Sequence, residues 1–326
     1  MNKIALIIPY FGTFPNYFKF WLKSVEYNSF IDWILITDVS VKYDYPNNVI
    51  VKIFTIEELR TFIQSKFDFK ISLESPYKLC DFRPAYGYIF NDWIKQYEFW
   101  GYCDIDMIYG NLSIYLTDEL LRQYNKIFNN GHLTIVRNRE DYNTLFKKEY
   151  ADVANFQIVF SDPRSFFYDE DGISVVFGPN SQISKECADF YYKKGFSTMC
   201  KIYEPNKVYK QVHFEDLAFQ YKYFKSINKL CGHNVIFQFN QGSLYRIYTH
   251  FFRQRIQEIE YLHMQKRTFL IETDDTSKYT IIPNKFILFK NKYSLLYQLR
   301  FSKYWKYNNM FIKLWNKIRL LKINHE

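Results

Sequence analysis

Glycine and proline are scarce in this chain, ten and nine among 326 residues, and no internal repeat or low-complexity linker interrupts it. Cysteine is sparse too. The five (Cys80, Cys103, Cys187, Cys200, Cys231) are odd in number, scattered and without a CxxC pair. That pattern argues against a disulfide framework or a structural zinc site and fits a reducing cytosol. No apolar run approaches the ~18 residues that would argue for a membrane-spanning helix. The first apolar run, Ile4-Ala5-Leu6-Ile7-Ile8, is cut by Pro9. It is too short for a signal-peptide core and reads as a buried first strand. A recognised base-reading motif is also missing, so nucleic acid is not an expected partner.

What is present is hydrophobic and aromatic. Hydrophobic residues make up 48% of the chain, enough for a large core, and its length suits one large α/β domain or a domain with an appendage. The 30 Tyr and 33 Phe largely follow a Lys/Asn/Ile-rich composition and carry little functional signal by themselves. Charge is informative through its placement. Residues 285–326 hold ten Lys or Arg against the single acid Glu326, which accounts for the whole net charge of +9. There Phe311, Leu314, Trp315 and Ile318 follow helical spacing, with Lys313, Lys317 and Arg319 largely off that face. A basic amphipathic helix with tryptophans reads as a membrane-surface element. The competing reading is a terminal helix packed on its own domain.

Strands are expected at 3–8, 32–37 and 49–54, and helices at 15–29 and after the capping box Thr55-Ile56-Glu57-Glu58. Strands alternating with helices imply a mostly parallel sheet with helices on both faces. Ligands of such sheets bind beyond the carboxyl ends of the strands. That rule places Pro9, Tyr10, Phe11, Asp38 and Asp104 on one rim. Asp38 could accept hydrogen bonds from a base or ribose, or equally cap a nearby turn. Further on, 117–125 reads as a helix, 129–131 as a turn, 132–136 as a strand and 140–175 as an irregular acidic-aromatic acceptor loop.

The central pattern is Phe99-Trp100-Gly101-Tyr102-Cys103-Asp104-Ile105-Asp106. A buried strand over 100–103 delivers two carboxylates separated by one residue, and the strand period of two sends both to the same side. Like charges that close raise each other's pKa. A divalent cation relieves the conflict, and Mg²⁺ or Mn²⁺ held this way keeps positions for substrate phosphates. The chemistry points to a nucleotide diphosphate. Upstream, Lys78, Asp81 and Arg83 gather before Pro84, which is suited to the first position of a helix over 84–95.

The order Asp-x-Arg, a helix, then an apolar strand ending in Gly-x-x-Asp-x-Asp resembles the sugar-nucleotide-dependent glycosyltransferases of the GT-A fold. It is most similar to the small bacterial enzymes of capsule and O-antigen loci. The likeness spans most of the first 270 residues in motif order and is specific around 78–112 and 261–267. It implies a GT-A-like, Rossmann-type α/β domain over 1–280 and a basic aromatic helical appendage over 281–326. It also implies transfer of a galactose- or glucose-type hexose from a UDP-sugar to a lipid-linked or oligosaccharide acceptor of a capsule, O-antigen or lipooligosaccharide glycan.

The acidic pair Glu215-Asp216 opens an expected helix, where acids simply suit the helix dipole. By resemblance one of them, Asp216 first, is the general base for the acceptor hydroxyl. The resemblance likewise makes His263 the ligand that completes the Asp104–Asp106 site for Mn²⁺ or Mg²⁺, with His233 and His250 as rivals. Lys266 and Arg267 follow closely enough to neutralise the leaving diphosphate. Lys78 and Arg83 would engage the donor phosphates or sugar, with Asp81 among the donor-binding residues. Two alternatives remain open: a nucleotidyl- or phosphosugar transferase using the same carboxylates, and a non-catalytic, membrane-docked glycan-binding protein.

The expected location is cytoplasmic, at the inner face of the membrane, with anionic lipid as partner. Each Lys or Arg held near such a surface contributes on the order of 1 kcal/mol before screening. Truncation near residue 290 should therefore abolish co-sedimentation with anionic vesicles and leave behaviour with neutral vesicles unchanged. Full-length binding should fall as salt is added. Equal sedimentation of both forms would identify the tail as core.

Overall fold

The computed structural model describes residues 3–40, 42–148, 154–169, 211–212, 219–220, 235–250, 253–264, 268–282, 285–291 and 293. It is a mixed α/β structure with several multi-stranded sheets. In chain order its first strands are β1 (Ile4–Pro9), β2 (Ile31–Thr37), β3 (Val49–Ile53), β4 (Phe99–Cys103), β5 (Met107–Tyr109) and β6 (Lys126–Asn130). Next come β7 (Leu133–Arg137), β8 (Gln211–Val212), β9 (Phe219–Gln220), β10 (Ile236–Asn240) and β11 (Ser243–His250). The last are β12 (Arg253–Glu258), β13 (Tyr261–His263), β14 (Leu270–Ile271), β15 (Lys278–Ile282) and β16 (Lys285–Leu288). The chain divides into two compact units, one of residues 1–14, 28–105 and 113–215, the other of 15–27, 106–112 and 216–326.

In the first unit seven strands form one sheet in the order β3-β2-β1-β4-β7-β6-β8. Pairing is parallel across β3, β2, β1 and β4, antiparallel at β4/β7 and β7/β6, and parallel again at β6/β8. The uninterrupted apolar run of β1 is explained by its burial, since Ile4 to Ile8 are at most 1% exposed. Gly101 sits where no side chain fits: a Cβ there would lie 2.1 Å from the Thr134 carbonyl oxygen. The core of this unit gathers Ile7, Ile36, Phe82, Tyr86, Phe90, Trp100 and Phe160 around the sheet.

Local signals account for several boundaries. The helix α2 (Ile56–Gln64) starts on the expected capping box: the Thr55 hydroxyl accepts from Glu58 N at 3.1 Å, and the Glu58 carboxylate from Thr55 N at 2.7 Å. Thr117 caps a helix over Asp118–Gln123 with its hydroxyl alone, which accepts from Leu120 N at 3.3 Å.

Tertiary packing overrides other expectations. The helix expected over 84–95 is broken into turns over Arg83–Ala85, Tyr86–Ile89 and Asn91–Ile94, with Phe90 between them at φ −102°, ψ 20°. Phe90, at the break, and Trp93, after it, both pack on Phe62. The expected irregular loop contains the helix Phe156–Ser161, because Val159 and Phe160 are buried in the core. The turn expected at 129–131 shifts to Gly131-His132, with β6 running through Asn130 and Phe128 in the left-handed region at φ 61°.

The second unit contains α1 (Phe18–Glu26), shorter at both ends than the expected 15–29 helix. Its larger sheet runs β12-β11-β10-β15-β16-β14, antiparallel except for the β14/β16 pair. A smaller sheet is ordered β5-β13-β9. Phe20, Phe237, Phe239, Tyr279 and Phe286 form the centre of its core. Tyr293 donates its hydroxyl to Thr280 Oγ1 at 2.7 Å, so a truncation that spares this sheet falls after Tyr293. The appendage expected over 281–326 begins inside this sheet, since β15 runs through Ile282 and β16 spans Lys285–Leu288, and residues 294–326 lie outside the described residues. Among the described residues no helix is long and apolar enough to cross a membrane.

Glu260, between β12 and β13, is fully buried, and neither carboxylate oxygen has a hydrogen-bond partner among the described residues. Burial pushes its pKa from 4.5 up to about 8, and the charge of Arg246 opposes this without offsetting it. The unfolded chain loses this proton first as pH rises, while the folded chain still holds it. Stability from this group is therefore greatest below about pH 4.5, declines towards pH 8 and is level above. Glu260→Gln should flatten that decline and unfold at higher urea than wild type at pH 8. Identical pH profiles of urea midpoint would refute it.

Candidate functional site

The parallel strands of the first unit end together. Beyond β1, Tyr10 N continues the ladder to the Ile36 carbonyl at 2.8 Å. Gly12, at φ +87°, then donates its N–H to Asp38 Oδ1 at 2.8 Å. Asp38 thus takes the turn-capping role, holding the 10–13 turn against the end of β2. Pro9 and Tyr10 are half-buried, and Phe11 packs on the core. Tyr10 stacks on Phe14 with centroids 5.3 Å apart, and Phe14 meets the edge of Tyr43 at 5.6 Å. This aromatic wall at the rim was not anticipated. Phe14 and Tyr43 lie far apart in a chain crowded with aromatics.

Asp104 leaves the end of β4 with its N–H donated to the His132 carbonyl at 3.0 Å. Its Oδ1 accepts from Arg83 Nη2. The same guanidinium donates through Nη1 to Asp169 Oδ2 at 2.9 Å and to the Gly131 carbonyl at 2.6 Å, and it lies 5.5 Å from the Tyr102 ring centroid. Burial works against the Arg83 charge, but the two carboxylates outweigh it and raise its pKa above the usual value. Lys126, on β6, is 1% exposed, and burial pushes its ammonium down to about 7, with Asp169 pulling the other way. Asp169 was missed at the sequence level. Its only signal was an acid in an acidic-aromatic stretch.

Lys78 and Asp81 are placed differently from the donor-binding role expected of them. Both are buried, 2% and 0% exposed, and form an ion pair at 2.8 Å. Lys78 Nζ also donates to the carbonyls of Val159 at 2.7 Å and Arg164 at 2.6 Å, which uses all three of its protons. Asp81 accepts the N–H groups of Phe166 and Tyr168, each at 3.0 Å to Oδ1. No proton of Lys78 remains for a phosphate. The pair clamps the 159–168 segment.

Within the second unit, β13 pairs antiparallel with β5 and sets His263 opposite Met107. Met264 N donates to the Asp106 carbonyl at 2.7 Å, and His263 Nε2 lies 3.5 Å from Asp106 Oδ1. Both side chains are largely buried. Asp106 and His263, both in the second unit, set a carboxylate beside an imidazole, and Asp104 precedes Asp106 by two positions in the chain. Two hard carboxylates with one imidazole suit Mn²⁺, and Mg²⁺ where carboxylate and water dominate. Glu215, Asp216, His233, Lys266 and Arg267 lie outside the described residues, as does the side chain of His250. Of the helix expected to run from the acidic pair to about residue 226, the described residues Phe219–Gln220 form instead the strand β9, drawn into parallel pairing with β13.

A family model matches residues 6–290; it describes a family of unknown function, DUF6625, and the chain belongs to that family. No curated protein matches the chain.

Removing one partner of a buried ion pair strands the other charge, which typically costs about 3–5 kcal/mol. Lys78→Met or Asp81→Asn should lower the urea-unfolding free energy by about that amount. Wild-type stability in both variants would return the pair to the list of ligand-facing groups.

Proposed function

We propose that this member of the family is a metal-dependent glycosyltransferase of GT-A type. It would move a galactose- or glucose-type hexose from a UDP-sugar onto a hydroxyl of a surface glycan. The observation that carries this reading is the meeting of Asp106 with His263, from positions far apart in the chain, at the end of an Asp-x-Asp segment. The parallel β3-β2-β1-β4 order adds support, because nucleotides bind beyond the carboxyl ends of such strands. Pro9, Asp38 and Asp104 all stand at those ends.

In this reading Asp104, Asp106 and His263 hold Mn²⁺ or Mg²⁺. A bound cation supplies charge to the diphosphate, which must leave with its negative charge stabilised. Pro9, Tyr10 and Phe11 form the rim that receives the nucleoside, with the turn held by Asp38. Lys266 and Arg267 would neutralise the leaving diphosphate. Asp216, with Glu215 beside it, takes the proton of the acceptor hydroxyl as its oxygen attacks the anomeric carbon. The bond from that carbon to the β-phosphate oxygen breaks, and UDP departs with the electron pair. The basic tail would bring the enzyme to a lipid-linked acceptor on an anionic surface.

UDP should bind in calorimetry only with Mn²⁺ or Mg²⁺ present, and Asp104→Asn or Asp106→Asn should abolish that binding. Asp216→Asn should retain UDP affinity and lower turnover by roughly 10²–10⁴-fold, as for loss of a general base. The released nucleotide should be UDP. UMP or pyrophosphate would assign a phosphosugar or nucleotidyl transferase, and metal-independent UDP binding in the Asp106→Asn variant would remove the reading altogether.

A further inference from the structure

We infer that Asp169 is a positioning residue for the cation site, acting through Arg83 on the carboxylate of Asp104. The inference rests on the reading of Asp104 as a metal ligand. Nothing in the motif pattern around Asp104 points to Asp169, which stands 65 residues further along the chain.

The geometry is that of a relay. A guanidinium is a rigid planar fork, so fixing one arm fixes the other. Nη1 of Arg83 is fixed twice, by Asp169 Oδ2 and by the carbonyl of Gly131 in the β6–β7 turn. Nη2 is thereby aimed at Asp104 Oδ1. With one oxygen captured, the carboxylate of Asp104 no longer rotates freely, and its second oxygen is presented in a set direction. Exposure follows the same order. Asp169 is 4% exposed, Arg83 17% and Asp104 29%, so the anchor is buried and the ligand end is open.

Charge requires the anchor as much as geometry does. Arg83 beside Asp104 alone would cancel the charge of that carboxylate. With Asp169 on the other arm, one guanidinium is shared by two carboxylates and the group keeps a net negative charge. Asp169 is itself delivered by the buried clamp, since the N–H of the preceding residue, Tyr168, is held by Asp81. Partners that orient a ligating carboxylate commonly matter about 10–100-fold in metal affinity.

The test measures binding of Mn²⁺ alone, by calorimetry, to the full-length wild type, Asp169→Asn, Arg83→Lys and the double variant. Circular dichroism melts check that each is folded. Asp169→Asn should weaken Mn²⁺ about tenfold or more, and Arg83→Lys, which keeps the charge but loses the fork, should do likewise. Because Asp169 acts through Arg83, the double variant should be no weaker than the worse single variant. Losses that multiply in the double variant would mean that Asp169 acts on the ion directly and would overturn the relay. So would wild-type affinity in Asp169→Asn while Asp106→Asn has lost the ion. Should Asp169→Asn fail to fold, Arg83→Lys decides alone, and unchanged affinity there rejects the relay. Absence of Mn²⁺ binding by the wild type would overturn both the relay and the metal-dependent function beneath it.

Discussion

The buried ion pair between Lys78 and Asp81 is the constraint from which the first unit's rim follows. Two charges removed from water are tolerated only when their remaining hydrogen-bonding capacity is met. Here it is met by the backbone of a distant segment: the carbonyls of Val159 and Arg164 on one side, the N–H groups of Phe166 and Tyr168 on the other. Aromatic rings close the same seam, with Phe82 stacked on Phe160 at 4.4 Å and the Lys78 ammonium over the Phe166 ring, 5.1 Å from its centroid. The clamp thus converts a polar requirement into a fixed path for residues 159–168. Asp169 follows at once, and Arg83 is held between it and Asp104.

The sheet supplies the second constraint. β1, β2 and β4 run parallel, which brings their carboxyl ends to one edge and sets Pro9, Asp38 and Asp104 there. The close approach at Gly101 lets β4 fit between β1 and β7. In the second unit the constraint is register. His263 is opposite Met107 because Tyr261 pairs with Tyr109 and Leu262 with Ile108, all buried or nearly so. A slip of one residue would turn His263 to the other face and lose its approach to Asp106.

Local chemistry was legible where it is self-contained. The apolar runs of β1, β2, β3 and β4 and the Thr55–Glu58 capping box need no distant partner, and they stand within a residue or two of their expected bounds. Asp104 at the end of a buried strand was legible for the same reason. The 84–95 segment misled because its helical periodicity is real, yet packing of Phe90 and Trp93 on Phe62 breaks it. The sheets of the second unit were not anticipated, since strands of two to eight residues in an aromatic-rich chain give little periodic contrast.

The sequence by itself determined β1, β2, β3, β4 and β7 of the first unit and that an Asp-x-Asp follows the fourth, because strand burial and residue spacing are local properties. It also named Lys78, Asp81 and Arg83 for the donor and, by resemblance, His263 for the metal. Only the tertiary structure decided that Lys78 and Asp81 are spent on a buried clamp, that Arg83 joins Asp104 to Asp169, and that His263 meets Asp106. The reason is physical. A charged side chain's role depends on which protons and lone pairs are already taken, and those partners lie dozens to hundreds of residues away, where only the folded chain brings them within hydrogen-bond range.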